Sequence, residues 1–171
     1  AFIFDVYFIE ESERKLEYKV LKNISDSTLT MNQVENLFPD PDNELANAAK
    51  KAGNIIFAQS FKPQGKKKEP VKERTEVMER RLKLLEDRNL FRIVDPIKYS
   101  SLFDFYDIET VVDTLIKNSA GVYFFQSDPD PDGLQRKYPL VGLYENKLFP
   151  SASLAIALNH YGVPFDSVEI I

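Results

Sequence analysis

The stretch that decides the fold is Asn43 to Phe61, NELANAAKKAGNIIFAQSF. Leu45, Ala48, Ala49 and Ala52 recur at i, i+3, i+4 and i+7, the spacing of one helical face. The preceding Pro39-Asp40-Pro41-Asp42 stops one element and starts the next, with Asp42 as the expected N-cap. Gly53 closes a helix expected over 43–52. NIIFAQSF at 54–61 then reads as a strand, rich in β-branched and aromatic residues and too short for a helix. A helix handed directly to a buried strand is the repeating unit of α/β sheets.

Upstream, AFIFDVYFI (1–9) reads as a buried strand with one charge, Asp5, in its middle, and a short helix is possible from Thr30 to Phe38. Downstream, KPQGKKKEPV (62–71) is a turn-rich basic loop. A helix is expected over 72–89, with Val71, Met78, Leu82 and Leu85 on one side. Residues 90–106 show no clear period. Asp107 then precedes Ile108, Val111, Val112, Leu115 and Ile116, which predicts a helix over 108–118. GVYFFQS (121–127) and LQRKYPLVGLY (134–144) read as two strands of a hairpin around DPDPDG, followed by a tight turn at Glu145-Asn146-Lys147. Pro150-Ser151 opens a helix that runs to Tyr161 and is stopped by Gly162 and Pro164, and Ser167 to Ile171 reads as a last strand. The expected fold is α/β, a mixed parallel and antiparallel sheet with helices packed on it, in a single domain over 1–171.

At 171 residues, with 43% hydrophobic and 29% charged residues, the composition is that of a globular domain able to bury a core. Lys plus Arg number 22 against 27 Asp plus Glu, giving a net charge of −5, the wrong sign for a bulk nucleic-acid binder. The basic excess is confined to 66–92. No aromatic residue interleaves between 62 and 90, so base stacking is not supported, and the run reads as a solvated helix face or as a surface for an anionic membrane or partner. No window reaches the roughly 18 apolar residues of a membrane span. The start inside an apolar run, without methionine, reads as that of a fragment of a longer protein.

The sequence has no cysteine and one histidine, His160, which excludes thiol catalysis and most metal designs. No Gly-rich phosphate loop, Ser-x-x-Lys or Gly-x-Ser-x-Gly pattern is present, and no cofactor is expected. His160, late in a helix, reads as a surface residue, and Ser151 and Ser153 as capping residues. The densest polar feature is Asp128-Pro129-Asp130-Pro131-Asp132-Gly133, carboxylates at alternate positions like the opening of a calcium loop. The bidentate Glu such a loop needs eleven residues after Asp128 is Pro139 here. The turn is better read as structural, its carboxylates satisfying local donors and pairing with Arg136 and Lys137. Asp128, Asp130 and Asp132 remain the weak metal candidates. Asp5, a carboxylate in an apolar run, needs a partner or a ligand.

In chain order, FDVYF (4–8), Asp42 with ELANAAKKAGNIIFA (44–58), AGVYFF (120–125), DPDGLQRKYPL (130–140) and FPSASLAIAL (149–158) resemble the second class of CHASE domains. These are extracytoplasmic sensors associated with bacterial cyclases and histidine kinases. The hallmark matched is Asp130, Asp132, Gly133, Leu134, Arg136, Lys137 and Pro139, followed by the helix opened by Pro150 and Ser151. Residues 10–41 and 62–106 are excursions without a match, and the family's domain extends further at both ends.

The resemblance implies a periplasmic sensor of an inner-membrane receptor, non-catalytic itself, anchored by segments outside this chain and dimeric in its parent. It would regulate an adenylate or guanylate cyclase, or a kinase, in response to an unknown small-molecule or ionic signal, and Asp5, Asp130, Asp132 and Arg136 would line or organise the site. Two other readings stand beside it. One is a structural or interaction module using the basic segment 66–92. The other is a metal-dependent hydrolase with Asp5 beside the Asp128–Asp132 cluster.

Overall fold

The computed structural model describes residues 2–4, 8–13, 39–63, 73–95, 98, 102–127 and 130–170. The expected helix at Thr30–Phe38, together with Asp5 and Asp128, lies outside them. Among the described residues the sheet has seven strands: β1 (Phe2–Phe4), β2 (Ile55–Pro63), β3 (Arg92–Ile93), β4 (Phe103–Glu109), β5 (Gly121–Phe124), β6 (Val141–Tyr144) and β7 (Lys147–Pro150). The described helices are α1 (Pro41–Ala52), α2 (Glu76–Asp87), α3 (Asp113–Asn118) and α4 (Ala152–Tyr161), and a 3₁₀ turn follows at Phe165–Ser167. The fold is α/β with a mixed sheet, as the sequence predicts.

The helix-to-strand unit forms as expected, with a change of cap at its start and a rotated face: Ala46 and Ala49 are buried, Leu45 is half-buried, and Ala48 and Ala52 of the expected apolar series are exposed. The N-cap of α1 is Asp40, whose carboxylate accepts from the amides of Asp42 and Asn43, while Pro41 fills the first helical position, where a missing N–H costs nothing. Asp42 is buried instead, and its carboxylate accepts the N–H and the hydroxyl of Ser12 at 2.8 and 2.7 Å. Gly53, at φ 71°, closes the helix in the left-handed conformation that glycine adopts without cost.

β2 has two sets of partners. Its first half runs parallel to β1 on one side and to β5 on the other, and its last residues pair antiparallel with β4. From β4 the order continues through parallel β6, antiparallel β7 and antiparallel β3. Phe124, at the end of β5, then bridges Ser151 just past β7. The sheet therefore curls on itself, and β2, β4, β6, β7 and β5 close a ring through that single bridge.

The ring is filled by aromatic side chains. Phe61 stacks on Phe105 at 4.4 Å and meets Phe149, Phe124 and Tyr144 edge-on at 5.0, 5.6 and 6.5 Å. A bulge makes this possible. Lys62 faces Asp107 and Pro63 faces Phe105, so Tyr106 is an extra residue that turns both Phe105 and Ile108 inward while Asp107 stays beside Lys62. A Cβ on Gly142 would lie 2.1 Å from the Phe105 ring, so this position in β6 must be glycine for the ring to seat.

The structure departs from the sequence reading in four further places. The first strand is only Phe2–Phe4 within the described residues, and α2 begins at Glu76 behind the cap Thr75. No helix spans 108–118: Ile108 belongs to β4, Val112 caps α3, and the helix itself is Asp113–Asn118. All five apolar residues of that series are buried, but by two elements, and β-branched residues serve a strand as readily as the face of a helix. Third, β5 and β6 are not a hairpin. Each runs parallel to a different neighbour, and the real hairpin is β6–β7 around Glu145–Asn146. Fourth, the C-terminal segment forms the 3₁₀ turn rather than a strand, with Arg92 donating to Val168 O at 2.8 Å.

One buried group is out of keeping with its surroundings. Gln59 is 1% exposed next to Phe124 in register, and neither atom of its amide finds a protein partner. Phe61→Ala is expected to lower the unfolding free energy by about 3–5 kcal/mol through the cavity it leaves. Gln59→Leu should raise it, by roughly 1 kcal/mol or more, because the uncompensated desolvation of the amide disappears. Urea unfolding of both variants checks the pair, and a destabilised Gln59→Leu protein would contradict the second expectation.

Candidate functional site

Of the residues nominated from sequence, the structure brings Asp130, Asp132 and Arg136 together at the surface. Gly133 N donates to Asp130 O at 2.8 Å and Asp130 N to Leu134 O at 2.9 Å, closing the turn, and Leu134 N donates to the Asp132 carboxylate at 3.1 Å. Arg136 grips both carboxylates. Its Nη2 donates to Asp132 Oδ2 at 2.7 Å, and its Nη1 to Asp132 Oδ1 at 2.9 Å and Asp130 Oδ2 at 3.1 Å. The Arg136 hydrogen bonds, helped by Leu134 N–H, hold the Asp132 carboxyl below its ordinary range, and the same bonds raise Arg136. The turn therefore carries its own counter-ion. Among the described residues, no three Asp, Glu or His side chains are grouped to hold a metal ion.

A second polar group lies where the start of α2 meets β4 and β6. The Arg74 guanidinium sits 5.6 Å from the Tyr144 ring centre and pairs with Glu145, which also receives Lys147 at 3.0 Å. Burial works to raise Glu145, but the hydrogen bonds from Lys147 and Arg74 outweigh it and keep the carboxyl low. Glu145 has φ 55°, an unusual conformation for a side-chain-bearing residue, in the two-residue turn between β6 and β7. Nearby, Lys62 reaches Asp107 at 3.0 Å and Glu109 at 3.5 Å. The cleft between these groups holds about 220 Å³ and is lined by Met78, Arg81 and Tyr144 among others.

Arg81 is the tie beneath that cleft. Only 5% exposed, it donates to Ile9 O at 2.8 Å, Thr110 O at 3.1 Å and Asp113 Oδ1 at 3.2 Å, linking α2, the segment after β1 and the loop before α3. Arg80 reaches the other oxygen of Asp113 at 2.6 Å.

Two further clefts lie elsewhere, where the C-terminal ends of all four described helices converge. Gly53 and Asn54 follow α1, Arg88 and Asn89 follow α2, Ala120 follows α3, and Asn159 and His160 close α4. Two adjoining clefts of about 450 and 290 Å³ share Ala120 and Asn159. Arg88 donates to Ile116 O, to Ser119 O at 2.8 Å and to Ser119 Oγ at 3.3 Å, capping the exposed carbonyls of α3. Burial lowers Arg88, and burial pushes the Tyr123 hydroxyl up. His160 is exposed and packs edge-on to Tyr161 at 5.0 Å.

Comparison with protein families, curated proteins and solved structures returned no match.

The sequence reading located the carboxylate turn and missed the helix-end clefts. Arg88, Tyr123 and Asn159 come from three separate elements, and no spacing rule links them. The available signal was Arg88-Asn89 at the very end of the helix expected over 72–89, a position that reads as a cap.

Asp113 gives a testable pH dependence. Burial works to raise it, but the Arg80 and Arg81 hydrogen bonds dominate and its folded pKa is lowered. Its contribution is therefore present above the unfolded value of about 3.9 and is lost as pH falls through the lower folded value. Asp113→Asn should cost roughly 1–3 kcal/mol at pH 7 in urea unfolding. The difference from wild type should shrink below about pH 4. A constant difference across that range would contradict the assignment.

Proposed function

We propose that this chain is the extracytoplasmic sensory domain of a bacterial transmembrane receptor related to the second class of CHASE domains. It regulates an intracellular adenylate or guanylate cyclase, and it is itself non-catalytic. One observation carries the proposal. The segments that resemble the family are separated in sequence but contiguous in space: β1 and β5 flank β2, α1 leads into β2, and Phe124 at the end of β5 bridges Ser151 at the start of α4. Four of the five segments thus sit in one bonded half of the molecule, and the fifth, 130–140, is tied to it where Ser151 N donates to Leu140 O at 2.8 Å.

Much of the unmatched 62–106 builds the other half, including β3 and most of β4. No described helix is long and apolar enough to cross a membrane. In this reading the receptor's anchors are segments outside this chain. Its periplasmic placement and its dimeric state in the parent belong to the same proposal. To signal, a ligand must bind one arrangement of the receptor dimer better than another.

The alternatives find less support. Residues 66–72 of the basic segment lie outside the described residues. From 73 to 92, Arg74, Arg80, Arg81 and Lys83 are ion-paired, so four of the six cations there already have a carboxylate partner within the fold. A metal-dependent hydrolase would have to displace Arg136 from Asp130 and Asp132.

A ligand that binds only the folded state raises its melting temperature. Thermal unfolding against divalent ions and small anionic and neutral metabolites should give a saturable rise with at least one of them. The absence of any shift from a well-folded sample would overturn direct sensing by this domain. Arg136→Ala should leave the ligand-free melting temperature unchanged, because its pairs are exposed.

A further inference from the structure

Arg74, Arg80, Arg81 and Arg136 each have a carboxylate partner. Arg88 has none among the described residues. It is half-buried at the C-cap of α2, and its three hydrogen bonds go to the neutral oxygens of Ile116 and Ser119. A guanidinium carries five N–H groups in a rigid planar fork. Among the described residues Nε has no acceptor and Nη2 has one, Ser119 O, and the Nε edge of a guanidinium presents two parallel N–H groups.

Arg88 lines the 290 Å³ cleft, whose walls include the apolar side chains of Leu90, Leu158 and Val163. Tyr123 and Asn159, hydrogen-bonded to each other, stand in the same cleft. Asp166 also lines it but makes no ion pair with Arg88.

We infer that this cleft binds a small monocarboxylate, its two oxygens on Nε and Nη2 of Arg88 and its apolar body against Leu90, Leu158 and Val163. Two parallel N–H donors match the two oxygens of a carboxylate, and such bidentate pairs are the strongest class of hydrogen bond in proteins. The converging helix ends place partial negative charge around the cleft, which tells against phosphates and other multiply charged anions. For a single carboxylate the two charge-assisted hydrogen bonds outweigh the three exposed helix ends that line this cleft, each of which is worth well under one such bond. The inference rests on the sensor reading and gives it a location and a ligand class.

The test is titration of the folded chain with acetate, butyrate, hexanoate and hexylamine, following backbone amide chemical shifts. Hexanoate should saturably move Asn89, Ala120, Tyr123 and Asn159, and affinity should rise by about fourfold for each methylene buried. Hexylamine should move none of them. Arg88→Met should weaken hexanoate roughly tenfold or more. Because Arg88 also caps α3, that variant could misfold. Val163→Trp then decides the matter, since Val163 is 40% exposed on the wall of the cleft and a bulky ring there blocks it with Arg88 intact. Hexanoate binding to Val163→Trp as to wild type, or no saturable shift at these amides, would overturn the site. If carboxylates leave these amides alone while another compound raises the melting temperature, this inference fails and the sensor reading stands. If no compound does so, both fail.

Discussion

The structure depends on Phe61, placed where β2 leaves one set of partners for another. Towards the N-terminus the strand is hydrogen-bonded on both edges to parallel neighbours, and beyond Ser60 it pairs with antiparallel β4. A strand that changes partners in this way bends the sheet. The bend is stable only if the concave side is filled, and Phe61 fills it in contact with four other aromatic rings. The bulge at Tyr106 and the bare backbone of Gly142 are the two accommodations that let Phe105 join it. Remove the ring of Phe61 and neither half of the sheet has a reason to face the other.

A second constraint is electrostatic. Arg81 is nearly inaccessible, and it is satisfied by two carbonyls and one carboxylate drawn from different parts of the chain. A buried charge tolerates few alternative arrangements. Arg81 therefore fixes how α2 sits on the loop before α3, and with it the distance from Arg74 to Tyr144 on one side of that helix and the position of Arg88 at its end. The two polar regions of the molecule are held in register by the same helix.

Much of the fold was legible in the sequence where a local signal was complete. The run from Asp40 to Phe61 contained a cap, an apolar face, a terminating glycine and a strand of the right length, and Ser151 to Gly162 did the same for α4. Legibility failed where two elements shared one apolar series, as at Ile108 to Ile116, and where pairing was decided at long range, as between β5 and β2 rather than β6. Asp42 shows the failure at the scale of one residue. The sequence offered two aspartates for one cap, and only the position of Ser12, thirty residues away, decided which was used. For the site, the Asp130–Arg136 cluster was readable because its members lie within seven residues, while the grouping of Arg88, Tyr123 and Asn159 exists only once the helices have packed.

The single bridge between Phe124 and Ser151 has a mechanical meaning. Along the rest of the ring, neighbouring strands are joined by ladders that must break together; at this seam one contact holds two edges. Local opening is easiest where the fewest hydrogen bonds must be broken, so the seam is the line along which the closed sheet yields first. Ser151 is also the N-cap of α4, and the last turn of that helix, with Asn159 and His160, lines the helix-end clefts. The smaller cleft is lined by Tyr123 and Pro150, the chain neighbours of Phe124 and Ser151, so a compound lodged there would stiffen or spread the seam directly, turning occupancy into a change in how the sheet is closed.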